Sequence, residues 1–115
     1  MAREIADKVI IITGASSGIG RETALALGRA GARLVIVARR EALLQQVRNE
    51  LERVGTTVID LALDLTRTDD IQRMVAETRT TFGRIDVLIN NAGFGFYGTV
   101  EHTPLSVVHE IFALN

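Results

Sequence analysis

The sequence predicts an α/β fold, a parallel sheet of four strands with helices on both faces, and two patterns carry that expectation. Short β-branched runs alternate with longer amphipathic stretches, the arrangement of successive βα units. Three of the runs, VIII, LVIV and VLI, are apolar without a break, as strands are when helices cover both sides of their sheet. Composition agrees. At 115 residues, 47% hydrophobic and 23% charged, the chain is expected to form a single domain that buries roughly two-thirds of its unfolded surface.

The first strand is expected over residues 8–13 and leads into a glycine-rich turn and a helix. The second covers residues 33–37, and after it Leu44, Val47, Leu51 and Val54 step by three and four along one helix face. A third strand is expected over residues 58–63. The helix after it takes Thr68 as N-cap, places Asp69 and Asp70 in its first turn, where the helix dipole favours negative charge, and aligns Ile71, Met74, Thr78 and Phe82. Gly31, Gly55 and Gly83 stand where the three helices should stop. The fourth strand is expected over residues 86–90. A last helix opens with Thr103 as N-cap and Pro104 at the first helical position. It carries two apolar stripes, Leu105, Val108 and Phe112, then Val107, Ile111 and Leu114. The chain stops at Asn115 in mid-periodicity, so the expectation is the first half of a doubly wound sheet. With a fifth strand lacking, the outer edge of the fourth strand and the second stripe of the last helix are expected to lie open, and the chain to form a homo-oligomer through one or the other.

Charge and composition exclude several functions. Thirteen basic residues against fourteen acidic leave a formal charge of −1, with no excess to neutralise nucleic acid or an anionic membrane. The absence of cysteine removes disulfides, thiol catalysis and sulfur-ligated metal. His102 and His109 match no carboxylate cluster, and no metal site is expected. The apolar run at residues 9–12 is too short for a signal-peptide core or a membrane span, which makes the cytoplasm the expected compartment.

The strongest chemical signal is TGASSGIG, residues 13–20, between the first strand and the first helix. Glycines there admit positive φ and let a pyrophosphate approach the backbone, while the helix N-terminus offers unpaired N–H groups. The spacing departs from G-x-G-x-x-G, and Arg21 and Glu22 after Gly20 exclude a Walker loop. The competing reading is a tight turn with no ligand. The segment resembles the T-G-x-x-x-G-x-G loop of the short-chain dehydrogenases/reductases. Asn90, Asn91, Ala92 and Gly93 match that family's N-N-A-G motif, and Asn115, 24 residues after Asn91, matches its catalytic-helix asparagine.

The resemblance covers essentially the whole chain. It implies an NADP-binding Rossmann-type domain over residues 1–115, strand order 3-2-1-4, within an oxidoreductase that moves hydride between NADP(H) and an alcohol or carbonyl. Gly14, Ser16, Ser17, Gly18, Ile19 and Gly20 would hold the pyrophosphate. Ala38 stands where NAD-preferring members carry Asp, and Arg39 where NADP-preferring members carry a basic residue. NADP is therefore favoured over NAD, with Arg39 and Arg40 on the 2′-phosphate; the alternative is a solvated pair at a strand end. Asp64 and Leu65 would border the adenine, although Asp64 could equally position the coming helix. Asn91, Ala92 and Gly93 would lie towards the nicotinamide, Phe96 and Tyr97 at the cleft mouth. Asn115 would be the sole catalytic-site residue, because the family's Ser and Tyr-x-x-x-Lys are missing: the chain has one tyrosine, Tyr97, and one lysine, Lys8. These 115 residues are thus expected to be inactive alone. The second reading is a non-catalytic nucleotide-binding or self-assembling half-fold.

Overall fold

The chain folds around Val9–Thr13, the strand β1, whose residues are all buried. The structure is a computed structural model and describes residues 5–91 together with the backbone of residues 96–98. Along the chain, β1 is followed by α1 (Gly18–Arg29), β2 (Arg33–Ala38), α2 (Glu41–Arg53), β3 (Val58–Ala62), α3 (Thr68–Phe82), β4 (Val87–Asn90) and β5 (Phe96–Gly98). β1 pairs in parallel with β2 on one side and with β4 on the other, and β3 adds to the far side of β2. The first four strands therefore take the order 3-2-1-4, as expected of a Rossmann-type sheet.

Alternation along the strands divides the core in two. Ile10, Ile12, Leu34 and Ile36 pack with Ala24 and Leu25 of α1 and with Leu44, Val47 and Leu51 of α2. Ile11, Val35 and Val37 pack with Ile71, Met74 and Val75 of α3 on the opposite face. Unbroken apolar runs follow from that arrangement, because both faces of β1 and β2 are covered. Gly31, Gly55 and Gly83 have φ of 92°, 84° and 78°, a left-handed conformation that ends each helix where the sequence placed its stop.

Three expectations are corrected. The N-cap of α3 is Arg67, with Thr68 inside the helix and no side-chain capping bond. Asp69 and Asp70 do stand in the first turn as expected, where Asp70 also accepts the Asp64 N–H at 2.8 Å. Val54 caps α2 and is 57% exposed, since the turn at Gly55 carries it off the apolar stripe. Most consequential, the outer edge of β4 is not open. β5 pairs antiparallel with it, Leu88 opposite Gly98 and Asn90 opposite Phe96; five intervening residues are ample for an antiparallel return. From Leu88 to Asn90 that edge is therefore taken by β5 and is not open to a second copy. The last helix, expected from Thr103 onward, lies outside the described residues, as do the side chains of Phe96 and Tyr97.

Candidate functional site: the carboxyl edge of the sheet

Beyond Thr13 the backbone turns through Gly14 at φ 64° and enters α1 at Gly18, φ 58°. The Ala15 N–H donates to the Val37 carbonyl at 3.2 Å, which ties the loop to β2. Gly20 packs directly on the start of the loop: a Cβ there would stand 2.0 Å from the Gly14 carbonyl oxygen and 2.8 Å from its carbon. Only glycine fits that approach. Ser17, the N-cap, is extended and makes no side-chain capping bond, and the first turn of α1 contains no acidic residue. The first-turn N–H groups have no intrahelical acceptor. Ser17, Gly18 and Ile19 there are exposed, the last 75% exposed, while Gly20 is buried. A helix N-terminus without an acidic first turn is the kind of end that can receive an anion.

The next two strand ends present charge. β2 and β3 run level, Ala38 opposite Ala62, so the residues beyond them emerge side by side. Arg39 Nη2 lies 3.3 Å from Asp64 Oδ2. Asp64 Oδ1 accepts the Thr66 N–H at 3.0 Å and the Thr66 hydroxyl at 2.7 Å. Those two bonds, with the Arg39 charge, hold the Asp64 carboxyl below the usual carboxylate range. An open depression of about 550 Å³ lies here, lined by Arg39, Asp64, Arg67, Asp70 and Arg73 among others. Arg40 is exposed and serves as the N-cap position of α2, while Leu65 packs partly against the core on the α3 side.

At the end of β4, the Thr13 hydroxyl donates to Asn90 Oδ1 at 2.7 Å and accepts the Asn91 N–H at 3.1 Å. Asn91 is thus fastened to the end of β1. The loop of residues 14–20, Arg39, Asp64 and Asn91 follow the carboxyl ends of four adjacent parallel strands, the edge at which open α/β sheets bind ligands. Ala92, Gly93 and Asn115 lie outside the described residues. The sequence names Thr13 as the first residue of the loop motif but gives it no role of its own, and it does not single out two contributors, Arg67 and Arg73. Thr13 was signalled by a lone hydroxyl closing an apolar run; Arg67 and Arg73 gave no local signal, because only the α3 approach brings them to the depression.

Comparison with known proteins gives this edge a context. The family model described as short chain dehydrogenase matches residues 8–115. An 11-beta-hydroxysteroid dehydrogenase-like protein of Arabidopsis thaliana is 43% identical over 90 residues, 77% of this chain and 23% of the relative. Dehydrogenase/reductase SDR family member 7B of Danio rerio is 38% identical over 117 residues, 96% of this chain and 38% of the relative. This chain therefore spans well under half the length of these two relatives. Among solved structures, the L-sorbose reductase of Gluconobacter frateurii, complexed with NADPH and L-sorbose, superposes with a TM-score of 0.75 at 32% identity, over 94% of this chain and 45% of that one. An NADH-dependent reductase complexed with NAD gives a TM-score of 0.71 at 34% identity, over 78% of this chain and 38% of that one. Nicotinamide dinucleotides thus accompany the same sheet in these two structural neighbours, and a family match reaching from residue 8 to residue 115 settles the kinship: the chain belongs to the short-chain dehydrogenases.

Proposed function

We propose that the chain binds NADP(H) along the carboxyl edge of its sheet and forms the cofactor-binding part of an oxidoreductase acting between an alcohol and a carbonyl. The observation that carries the reading is the contact of Gly20 with Gly14, where a Cβ would meet the carbonyl at 2.0 Å. That contact clears the first turn of α1 for a phosphate. The residues fit the cofactor. Gly14 and residues 16–20 would cradle the pyrophosphate with backbone N–H groups, and exposed Ile19 would be covered by it. Arg39, with Arg40 beside it, would meet the 2′-phosphate through charge-assisted bonds. Asp64 and Leu65 would border the adenine, and Asn91, Ala92 and Gly93 the nicotinamide side. When bound, the nicotinamide ring supplies or accepts the hydride. Asn115 would support a water at the reacting end.

Calorimetric titration with NADPH and NADH tests the assignment. The unmutated chain is expected to bind NADPH more tightly, by roughly ten- to a hundredfold for a charge-assisted guanidinium–phosphate bond, and Arg39→Asp to reverse the order. Equal affinities in the unmutated chain would count against it. Self-association through the stripe Val107, Ile111 and Leu114 belongs to the proposal as well, and sedimentation of the chain at micromolar concentration checks it.

A further inference from the structure

The register of β2 and β3 does more than line up two strand ends. The ladder continues one step past Ala38 and Ala62, with the Leu63 N–H donating to the Ala38 carbonyl at 3.0 Å. Arg39 and Asp64 therefore leave the sheet together and meet at 3.3 Å. The two partners are held very differently. Thr66 fixes one carboxylate oxygen of Asp64 from its N–H and its hydroxyl, and the Asp64 N–H is itself held by Asp70 Oδ2 at 2.8 Å. The Arg39 side chain, 73% exposed, reaches the other oxygen from solvent. Asp64 is the anchor, and Arg39 is the part that can turn.

We infer that Asp64 is a specificity-determining residue of the nucleotide site, its carboxylate competing with the ribose 2′-phosphate for the Arg39 guanidinium. The inference rests on the assignment of Arg39 to the 2′-phosphate. Carboxylate and phosphate oxygens offer the guanidinium the same charge-assisted acceptor, so an Arg39 turned onto Asp64 must give up that contact to serve a phosphate. Asp64 is ionised at neutral pH, because the Thr66 bonds, assisted by Arg39, hold its carboxyl low. The contact is a single one at 3.3 Å, in an open depression where water reaches both groups. A pair of this kind is weak enough to be displaced and strong enough to register in an affinity ratio.

Asp64→Asn retains an oxygen for Thr66 and removes the charge. The measured quantity is the ratio of NADPH to NADH affinity, by calorimetry on the chain, for the native protein, Asp64→Asn, Arg39→Ala and the double variant. Adenosine 2′,5′-bisphosphate and adenosine 5′-monophosphate give the same ratio without the nicotinamide half. Asp64→Asn is expected to raise the ratio about two- to fivefold, the range set by exposed ion pairs, and the double variant to show the ratio of Arg39→Ala alone. A purely structural role, or an adenine contact shared by both nucleotides, would change both affinities together; an unmoved ratio overturns the inference. So does a ratio that rises equally without Arg39, since the carboxylate would then act on the phosphate directly. If Arg39→Ala leaves the ratio unaltered, the 2′-phosphate assignment falls and the inference with it. If Arg39→Ala lowers the ratio while Asp64→Asn does not raise it, the assignment stands and only the role of Asp64 is removed. Asp64→Ser is expected to behave as Asp64→Asn does, and decides the matter if the asparagine variant does not fold.

Discussion

Thr13 and Asn90 share a buried hydrogen bond, hydroxyl to carboxamide oxygen at 2.7 Å, at the point where β1 and β4 lie level with each other. Both side chains are fully buried, and the same hydroxyl accepts the Asn91 N–H at 3.1 Å. One oxygen thus locks the carboxyl end of β4 to the strand that launches the glycine-rich loop. A strand of otherwise apolar residues thus closes on Thr, whose hydroxyl serves both bonds. Asn90 Oδ1, buried, needs a donor and the part-buried Asn91 N–H needs an acceptor.

Thr13→Val preserves shape and removes both bonds. It is expected to lower unfolding free energy by about 1–3 kcal/mol, the cost of leaving buried polar partners unmet, whereas Thr13→Ser, which retains the hydroxyl, is expected to lose less. Urea denaturation of the three proteins checks the order; a valine variant as stable as the native chain would remove the lock.

Gly20 and Gly18 are glycines for different reasons, and substitution separates them. Gly20→Ala forces its Cβ against the Gly14 carbonyl, so the loop must shift. A loss of about 1–3 kcal/mol in stability is expected from overpacking, together with a clear loss of dinucleotide affinity. Gly18 has φ 58° and open space around the position of a Cβ. Gly18→Ala is expected to cost about 1–2 kcal/mol of backbone strain alone, and Gly18→Asn less, as Asn tolerates that conformation. Chemical denaturation and calorimetric titration of the three variants check both halves.

What the sequence revealed and what it hid follow from range. The four parallel strands and the glycine stops at 31, 55 and 83 are local features, written in apolar runs and in a backbone conformation that glycine favours, and each fell within a residue or so of its place. β5 was hidden because its three residues, Phe96–Gly98, are too few for a period and sit among glycines. The glycine-rich loop was legible as a motif, but the contact that requires Gly20 is tertiary. Likewise Arg39 and Asp64 were assigned separately to phosphate and adenine; their meeting depends on the register of β2 with β3, which no stretch of either strand encodes alone.

The 115 residues by themselves are expected to show no turnover of NADPH with simple aldehydes or ketones. Positioned acid/base groups typically supply about 10²–10⁴-fold, or roughly 3–5 kcal/mol of barrier, and Tyr97 with Lys8 does not form the family's Tyr-x-x-x-Lys. Absorbance at the reduced nicotinamide band, followed with purified chain, checks this; robust substrate-dependent oxidation would refute it.

Stability should fall in acid through Asp86. This carboxylate is 4% exposed and lies just ahead of β4. One oxygen accepts the Val9 N–H at 2.8 Å, and the other accepts Arg84 Nε at 3.0 Å and Nη2 at 2.5 Å. Its own N–H donates to the Val9 carbonyl at 2.9 Å, so Asp86 fastens the start of β4 to the start of β1. Burial pushes the carboxyl up, but the Arg84 bonds, the Val9 N–H and the nearby Lys8 charge outweigh it and leave it below the usual value. A folded pKa below the unfolded one, about 3.9, contributes stability that is fully present above the unfolded value and is lost as pH falls through the folded one. Asp86→Asn removes the charge and the contribution together. At neutral pH the variant is expected to be less stable by about 1.5–3 kcal/mol, the worth of a hydrogen bond to a charged group. Below about pH 4 the difference is expected to shrink as the native carboxylate takes up its proton. Asp64, also held low, titrates in both proteins and cancels from the difference. Urea midpoints of native and Asp86→Asn chains across the acid range measure it, and a gap that stayed constant down to the lowest pH would show that the Asp86 charge does not fasten the two strands.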